Sequence, residues 1–187
     1  WSAKKVSKEE ARSKLGLSHR RYVGSVSSIV GYEGFDDLIV ALNQLPNDVA
    51  VLLVGDGTAS SSLKRLAKEQ NLEGRVVFAG HQPQEVIPMW YSALDVFVVP
   101  RKSLQVTRTV TPMKTLQAHA FGIPVVASDL PALREVTRGV GFYVVPESPS
   151  ELAKGIARAL QARQQPIKEL PSWREIAETY RDLYQRL

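Results

Sequence analysis

The sequence predicts an α/β protein built on one parallel sheet with helices on both faces, and three observations carry this. Strand-type and helix-type segments alternate six times along the chain. Most strand segments, such as Val49–Val54 (VAVLLV) and Val96–Val99 (VFVV), are continuous apolar runs, which marks strands buried on both faces. The 187 residues, 44% hydrophobic and 23% charged, have the composition and length of one soluble domain with a sizeable core. Six such units match a doubly wound, Rossmann-like six-stranded sheet with strand order 3-2-1-4-5-6.

The elements follow in order. Ser7-Lys8-Glu9-Glu10 is a capping-box pattern opening a short helix that stops at Gly16. Arg21–Val26 is the first strand, and a loop with Gly31 and Gly34 leads to a helix from Phe35 to Leu45. Val49–Val54 is the second strand, closed by Gly55-Asp56-Gly57, which reads as a turn; an amphipathic helix spans Ser60–Glu69. Arg75–Ala79 is the third strand, ended by Gly80, and Gln84–Ala93 is helical despite Pro88. Pro100 stops the fourth strand, Val96–Val99. Thr111 is an N-cap residue type with Pro112 at the first helical position, so a helix is expected from there to Gly122. Pro124–Ala127 is the fifth strand, Pro131–Val136 a short helix and Gly141–Val145 the sixth strand. Ser148 caps a helix to about Arg163; a polar gap with Pro166 precedes Pro171-Ser172, which starts a final helix to Leu187.

Composition narrows the function. A net charge of +5 permits an anionic ligand, but only Lys4-Lys5 and Arg20-Arg21 form basic runs, so nucleic acid is not an expected partner. The absence of cysteine excludes disulfides, thiol catalysis and cysteine metal sites, and suits a cytoplasmic setting. No apolar run is long enough to span a membrane, and no segment resembles a signal peptide. No metal-ligand spacing, nucleophile elbow or catalytic carboxylate pair is present, so no catalytic residue is assigned. The chain starts at Trp1 rather than Met, which leads us to expect a piece of something longer.

In this fold, ligands bind at the carboxyl ends of strands one and four, where the strand order reverses. Arg101, Lys102, Arg108 and Lys114 lie in the loop and helix start after strand four. They read either as a solvated basic loop or as a phosphate clamp, with Arg supplying a planar fork and Lys a point charge. A lysine in a first helical turn opposes the helix dipole by roughly 0.3–1 kcal/mol, a cost that vanishes if an anion sits there. Replacing Lys114 is accordingly expected to leave folding unchanged or slightly improved. Gly24-Ser25, at the end of strand one, could let the backbone approach a ligand. Gln117 lies three residues beyond Lys114, facing the same way, and could bond a ribose or simply lie at the surface. His81, after Gly80, reads as a cleft or a loop residue; His19 and His119 show no partner pattern.

The segment TPMKTLQAHAFGIPVVASDLPALRE (residues 111–135) resembles the donor-site segment of family 4 glycosyltransferases, usually close to TPLKPLEAMAxGxPVVASDxxALRE. The resemblance continues through YVGSxxxxxGYEGFDDLIVAL, VLLVGDG, RVVFAGH, the aspartate of LDVFVVPR and the closing SWREIAETYRDLY, nearly all of the chain from Arg21 onward. It implies residues 1–187 as the C-terminal, nucleotide-sugar-binding domain of a two-domain GT-B transferase. The N-terminal acceptor domain would be the missing partner and the route of any peripheral membrane contact. The final helix resembles the one that crosses to that domain. The resemblance further implies a nucleotide-diphosphate sugar as donor, retention of anomeric configuration and no metal or other cofactor. Diphosphate binding carries over to Arg101, Arg108 and Lys114, with the N–H groups from Met113 to Thr115. The family's two glutamates, with seven residues between them, fall at Thr109 and Gln117, and an Arg and a Lys that often hold the diphosphate fall at Ser25 and Glu33. In relatives with a YEG loop that charge moves to the loop after strand four.

These altered positions keep a second expectation open, a non-catalytic nucleotide-sugar-binding module or degenerate transferase lobe, and a third, a sugar-nucleotide epimerase of similar two-lobed fold. As a donor-binding half, the chain is expected to fold cooperatively and to lack transferase activity by itself.

Overall fold

A computed structural model describes residues 6–162 and 173–185. Its strands are β1 (Arg21–Val26), β2 (Val49–Val54), β3 (Val76–Gly80), β4 (Val96–Val99), β5 (Val125–Ser128) and β6 (Phe142–Val144). Its helices are α1 (Lys8–Lys14), α2 (Phe35–Ala41), α3 (Ser60–Glu69), α4 (Ile87–Ala93), α5 (Gln105–Thr109), α6 (Lys114–Phe121), α7 (Pro131–Val136), α8 (Pro149–Gln161) and α9 (Trp173–Tyr184). The sheet is parallel throughout, in the expected order β3-β2-β1-β4-β5-β6.

Alternate residues of the apolar strands feed two cores, as a doubly covered sheet requires. Val23, Val51, Leu53, Val96, Val98 and Val126 meet α2, α3 and α8 on one face. Tyr22, Leu52, Phe97, Val99 and Val125 meet α1, α4 and α6 on the other. The two faces together explain why these strands carry no polar alternation.

Several boundaries differ from expectation, each for a local reason. The helix from Phe35 tightens into a 3-10 turn at Leu42–Gln44. Gln84–Val86 is likewise a 3-10 turn, which places Pro88 in the first turn of α4, where it is tolerated. Arg75 lies outside the third strand, because its guanidinium donates to the carbonyls of Leu45, Pro46 and Val49. Helix α5 has no apolar stripe to announce it; its one buried residue, Thr107, bonds the Lys102 and Leu104 carbonyls. The sixth strand ends at Val144, leaving Val145 61% exposed. Arg163, Pro166, Pro171-Ser172 and Leu187, invoked for the last two helices, lie outside the described residues. Helix α9 presents Tyr180, Leu183 and Tyr184 to solvent.

The aspartate before β4 has a structural task. Asp95 accepts from Lys8 at 2.6 Å, from Arg12 at 2.5 Å and from the Tyr22 backbone N–H at 2.6 Å, tying α1 and β1 to the start of β4. Asp95→Ala removes the acceptor for three donors. It is expected to lower stability by about 2–4 kcal/mol, read as a lower urea midpoint with an unchanged denaturant slope. An unchanged midpoint would remove Asp95 from the stabilising contacts.

Candidate functional site

At the C-terminal ends of β1 and β4, two cations converge on one carboxylate. Glu33, 3% exposed, sits in the 3-10 turn Gly31–Glu33 between β1 and α2. Its Oε1 accepts from Arg101 Nη2 at 2.9 Å and its Oε2 from Lys114 Nζ at 2.5 Å. Lys114 also donates to Ser27 Oγ at 2.5 Å, and Arg101 Nη1 to the Val110 carbonyl at 3.1 Å. The side chains thus come from three segments: the loop after β1, the loop after β4 and the first residue of α6.

Backbone contacts hold the first two of these segments together. Gly34, at φ 73°, lies so close to β4 that a Cβ there would stand 1.9 Å from the Pro100 carbonyl oxygen. The Lys102 N–H donates to the Tyr32 carbonyl at 3.0 Å, and Lys102 Nζ to Asp36 at 2.6 Å, which raises the Lys102 ammonium above its ordinary pKa. Glu33 therefore reaches Arg101 because glycine alone fits the adjoining position.

Burial pulls the Lys114 ammonium down to about 8; Glu33 opposes the shift and Arg101 adds to it. Two cations and one anion leave a net single positive charge. The start of α6 adds N–H groups at Lys114 and Thr115 that have no acceptor within the helix. Such an arrangement suits a phosphate that approaches with the Lys114 N–H left over after Glu33 and Ser27.

The expected residues are placed unevenly. Lys114 and Arg101 meet. Arg108 does not join them: it is exposed at the end of α5, with Nη1 3.4 Å from Ser103 Oγ. Thr111 and Pro112 precede α6 rather than opening it; Met113, exposed, is the N-cap residue, and the Thr115 hydroxyl donates to the Pro112 carbonyl at 3.0 Å. The Thr-Pro pair is thus corrected from helix start to preceding loop. Gly24 is buried within the sheet, where a Cβ would stand 1.8 Å from the Leu52 carbonyl oxygen, so strand packing rather than a ligand explains the glycine. Ser25 is fully buried with its hydroxyl unpartnered. Gln117 Oε1 accepts from the Tyr91 hydroxyl at 2.8 Å, with the buried Tyr91 ring stacked against Phe97 and Phe121. His81 is exposed beyond β3, at the far edge of the sheet from β4. His119 is half-buried, its Nε2 unpartnered, and burial pulls it down to about 4. Asp56 accepts from Gly57 N–H and Ser60 Oγ, the turn its sequence suggested.

Sequence reading missed Glu33 as the partner of both cations. Its sole local signal was an acid between Gly31 and Gly34 at a strand end. The expectation that Lys114 replacement leaves folding intact also needs correction: the anion answering the helix-start lysine is this internal carboxylate, and losing Lys114 strips a buried Glu33 of one of its two partners.

Among the described residues, no three His, Cys, Asp or Glu converge as a metal site, and no helix is long and apolar enough to cross a membrane.

A parallel sheet with a basic cradle at its switch point defines an α/β domain of the nucleotide-binding class. The chain belongs to the family Glycosyl transferases group 1, which matches residues 7–179, and its fold is that of a GT-B glycosyltransferase C-terminal domain. It is 33% identical over 141 residues to the lipopolysaccharide core biosynthesis mannosyltransferase LpsB of Rhizobium meliloti, covering 71% of this chain and 38% of that protein. It is 34% identical over 121 residues to a GDP-mannose-dependent phosphatidylinositol monomannoside mannosyltransferase of Mycolicibacterium smegmatis, covering 62% of this chain and 32% of that one. Anabaena HepE in complex with UDP-glucose superposes with a TM-score of 0.72 at 28% identity, over 82% of this chain and 43% of that one. The chain thus spans about half the length of these relatives.

Proposed function

We propose that this chain is the donor-binding half of a retaining, family 4 glycosyltransferase that moves a sugar from a nucleotide-diphosphate sugar to an acceptor. The observation that carries the reading is the placement of Lys114 and Arg101 beside the start of α6, at the switch point. A departing nucleotide diphosphate gains negative charge as the bond from the sugar's anomeric carbon to the phosphate oxygen breaks. Fixed cations and helix N–H groups stabilise that charge in the transition state. The acceptor oxygen bonds to the same face of the sugar, and its proton leaves with the diphosphate. The work assigned to this lobe is charge stabilisation, without a metal cofactor. Acceptor contacts, and any membrane contact, come from a second domain of the same protein, reached through α9, in the cytoplasm.

Titration calorimetry of UDP and GDP into the chain tests the donor half: one of them is expected to bind. Binding of neither would overturn the reading. Sugar transfer by this chain alone would instead overturn the assignment of the acceptor contacts to a second domain. A non-catalytic nucleotide-sugar-binding module is the second reading, and Glu33, which neutralises half of the cradle's positive charge, favours it. Nucleotide-sugar binding by the complete protein with neither transfer nor donor hydrolysis would select it.

A further inference from the structure

We infer that Glu33 is a positioning residue that keeps Lys114 in its charged, phosphate-binding form and so sets the pH above which donor binding fails; the inference rests on the donor-site reading above. Glu33 is not a plug that swings aside for a ligand. Its N–H donates to the Val30 carbonyl at 3.1 Å, the Gly34 N–H to the Gly31 carbonyl at 3.3 Å, and Gly34 abuts the Pro100 carbonyl. The carboxylate is therefore a fixed part of the cradle, with one oxygen committed to each cation.

The charged groups facing Lys114 among the described residues are Glu33, from the loop after β1, and Arg101, from the loop after β4; Ser27 contributes a neutral hydroxyl. Burial and Arg101 disfavour the ammonium, and Glu33 alone supports it. Burial thus pulls the Lys114 ammonium down to about 8, below the ordinary lysine range and within reach of small changes around it. A phosphate binds the protonated ammonium far better than the neutral amine, so affinity falls as pH rises through the Lys114 titration. Removing the Glu33 charge moves that fall to lower pH.

The test has two readouts. NMR of the labelled Lys114 side chain, assigned by its loss in Lys114→Arg, follows the ammonium in the empty protein. Wild type is expected to titrate near 8, Glu33→Gln lower and Arg101→Gln higher. Opposite displacements by two neighbouring substitutions are not produced by general loosening of the site. Calorimetry with UDP and GDP at pH 6.5 and 8.5 is the second readout. A displacement of one pH unit lowers the affinity of Glu33→Gln relative to wild type by about sixfold between the two pH values. Glu33→Asp, which keeps the charge, should restore most of the wild-type profile. A Lys114 titration unmoved by Glu33→Gln, or a relative affinity that stays flat with pH, would overturn the inference. If Glu33→Gln proves unfolded in a thermal melt, the wild-type and Arg101→Gln titrations decide: a wild-type lysine near its ordinary 10.5, or no rise on removing Arg101, overturns it. Failure of wild type to bind either nucleotide at both pH values overturns the donor site instead, and the titration of Lys114 in the empty protein still reports on Glu33.

Discussion

Lys114→Ala is expected to weaken binding of UDP or GDP by ten- to a hundredfold, about what a charge-assisted contact worth roughly 1.5–3 kcal/mol contributes. Lys114→Glu should be worse, because it sets a second carboxylate against both Glu33 and the incoming phosphates. Both variants are also expected to lose stability. Alanine leaves Glu33 with Arg101 alone, at a cost of about 1–3 kcal/mol for a buried carboxylate deprived of one of its two charged partners. Binding by calorimetry and unfolding by urea separate the two effects. Unchanged affinity in Lys114→Ala, where wild type binds well, would show that the lysine serves the fold only.

The second large effect is expected at Gly34. Gly34→Ala asks an L-residue to hold φ 73° and places its Cβ 1.9 Å from the Pro100 carbonyl oxygen, so the loop must move away from β4. The cost is about 3 kcal/mol or more, combining left-handed strain with a backbone clash. The movement also draws Glu33 off Arg101, so nucleotide binding should fall along with the urea midpoint. Gly31→Ala is the control, since nothing stands within 4 Å of the position its Cβ would take. Comparable losses in the two variants would mean that the loop's flexibility, and not its contact with Pro100, is what matters.

The sheet could be read from the sequence because its determinants are local. Val49–Val54 and Val96–Val99 are apolar at every position, which admits few arrangements other than central strands of a covered parallel sheet, and six strand–helix units match the doubly wound order that the structure has. The start of α6 was misplaced for the same local reason. Thr111-Pro112 carries the chemistry of a helix start, but the Thr115 hydroxyl bonds back to Pro112 and the helix begins at Lys114. Helix α5 escaped notice because QVTRT turns no apolar face inward. Glu33 escaped because its partners stand 68 and 81 residues away, and no pattern within a window of sequence encodes such a meeting. Gln117 was expected to face the same way as Lys114, yet the hydroxyl that engages it belongs to Tyr91, 26 residues earlier, a partner no local pattern announces.

The junction between β1 and β4 is the weakest seam in this sheet by its ladder: two residue pairs are in register there, against six between β1 and β2. On either side of that seam the molecule divides into a β3-β2-β1 leaf and a β4-β5-β6 leaf. Each end of the seam carries a carboxylate rivet. Asp95 joins the leaves at the strands' amino ends by holding the Tyr22 N–H, and Glu33 joins them at the carboxyl ends by holding Arg101 and Lys114. The two leaves are bolted together by charge where they share the least backbone, and the bolt at the carboxyl end of the seam is the group that holds the two cations of the candidate site.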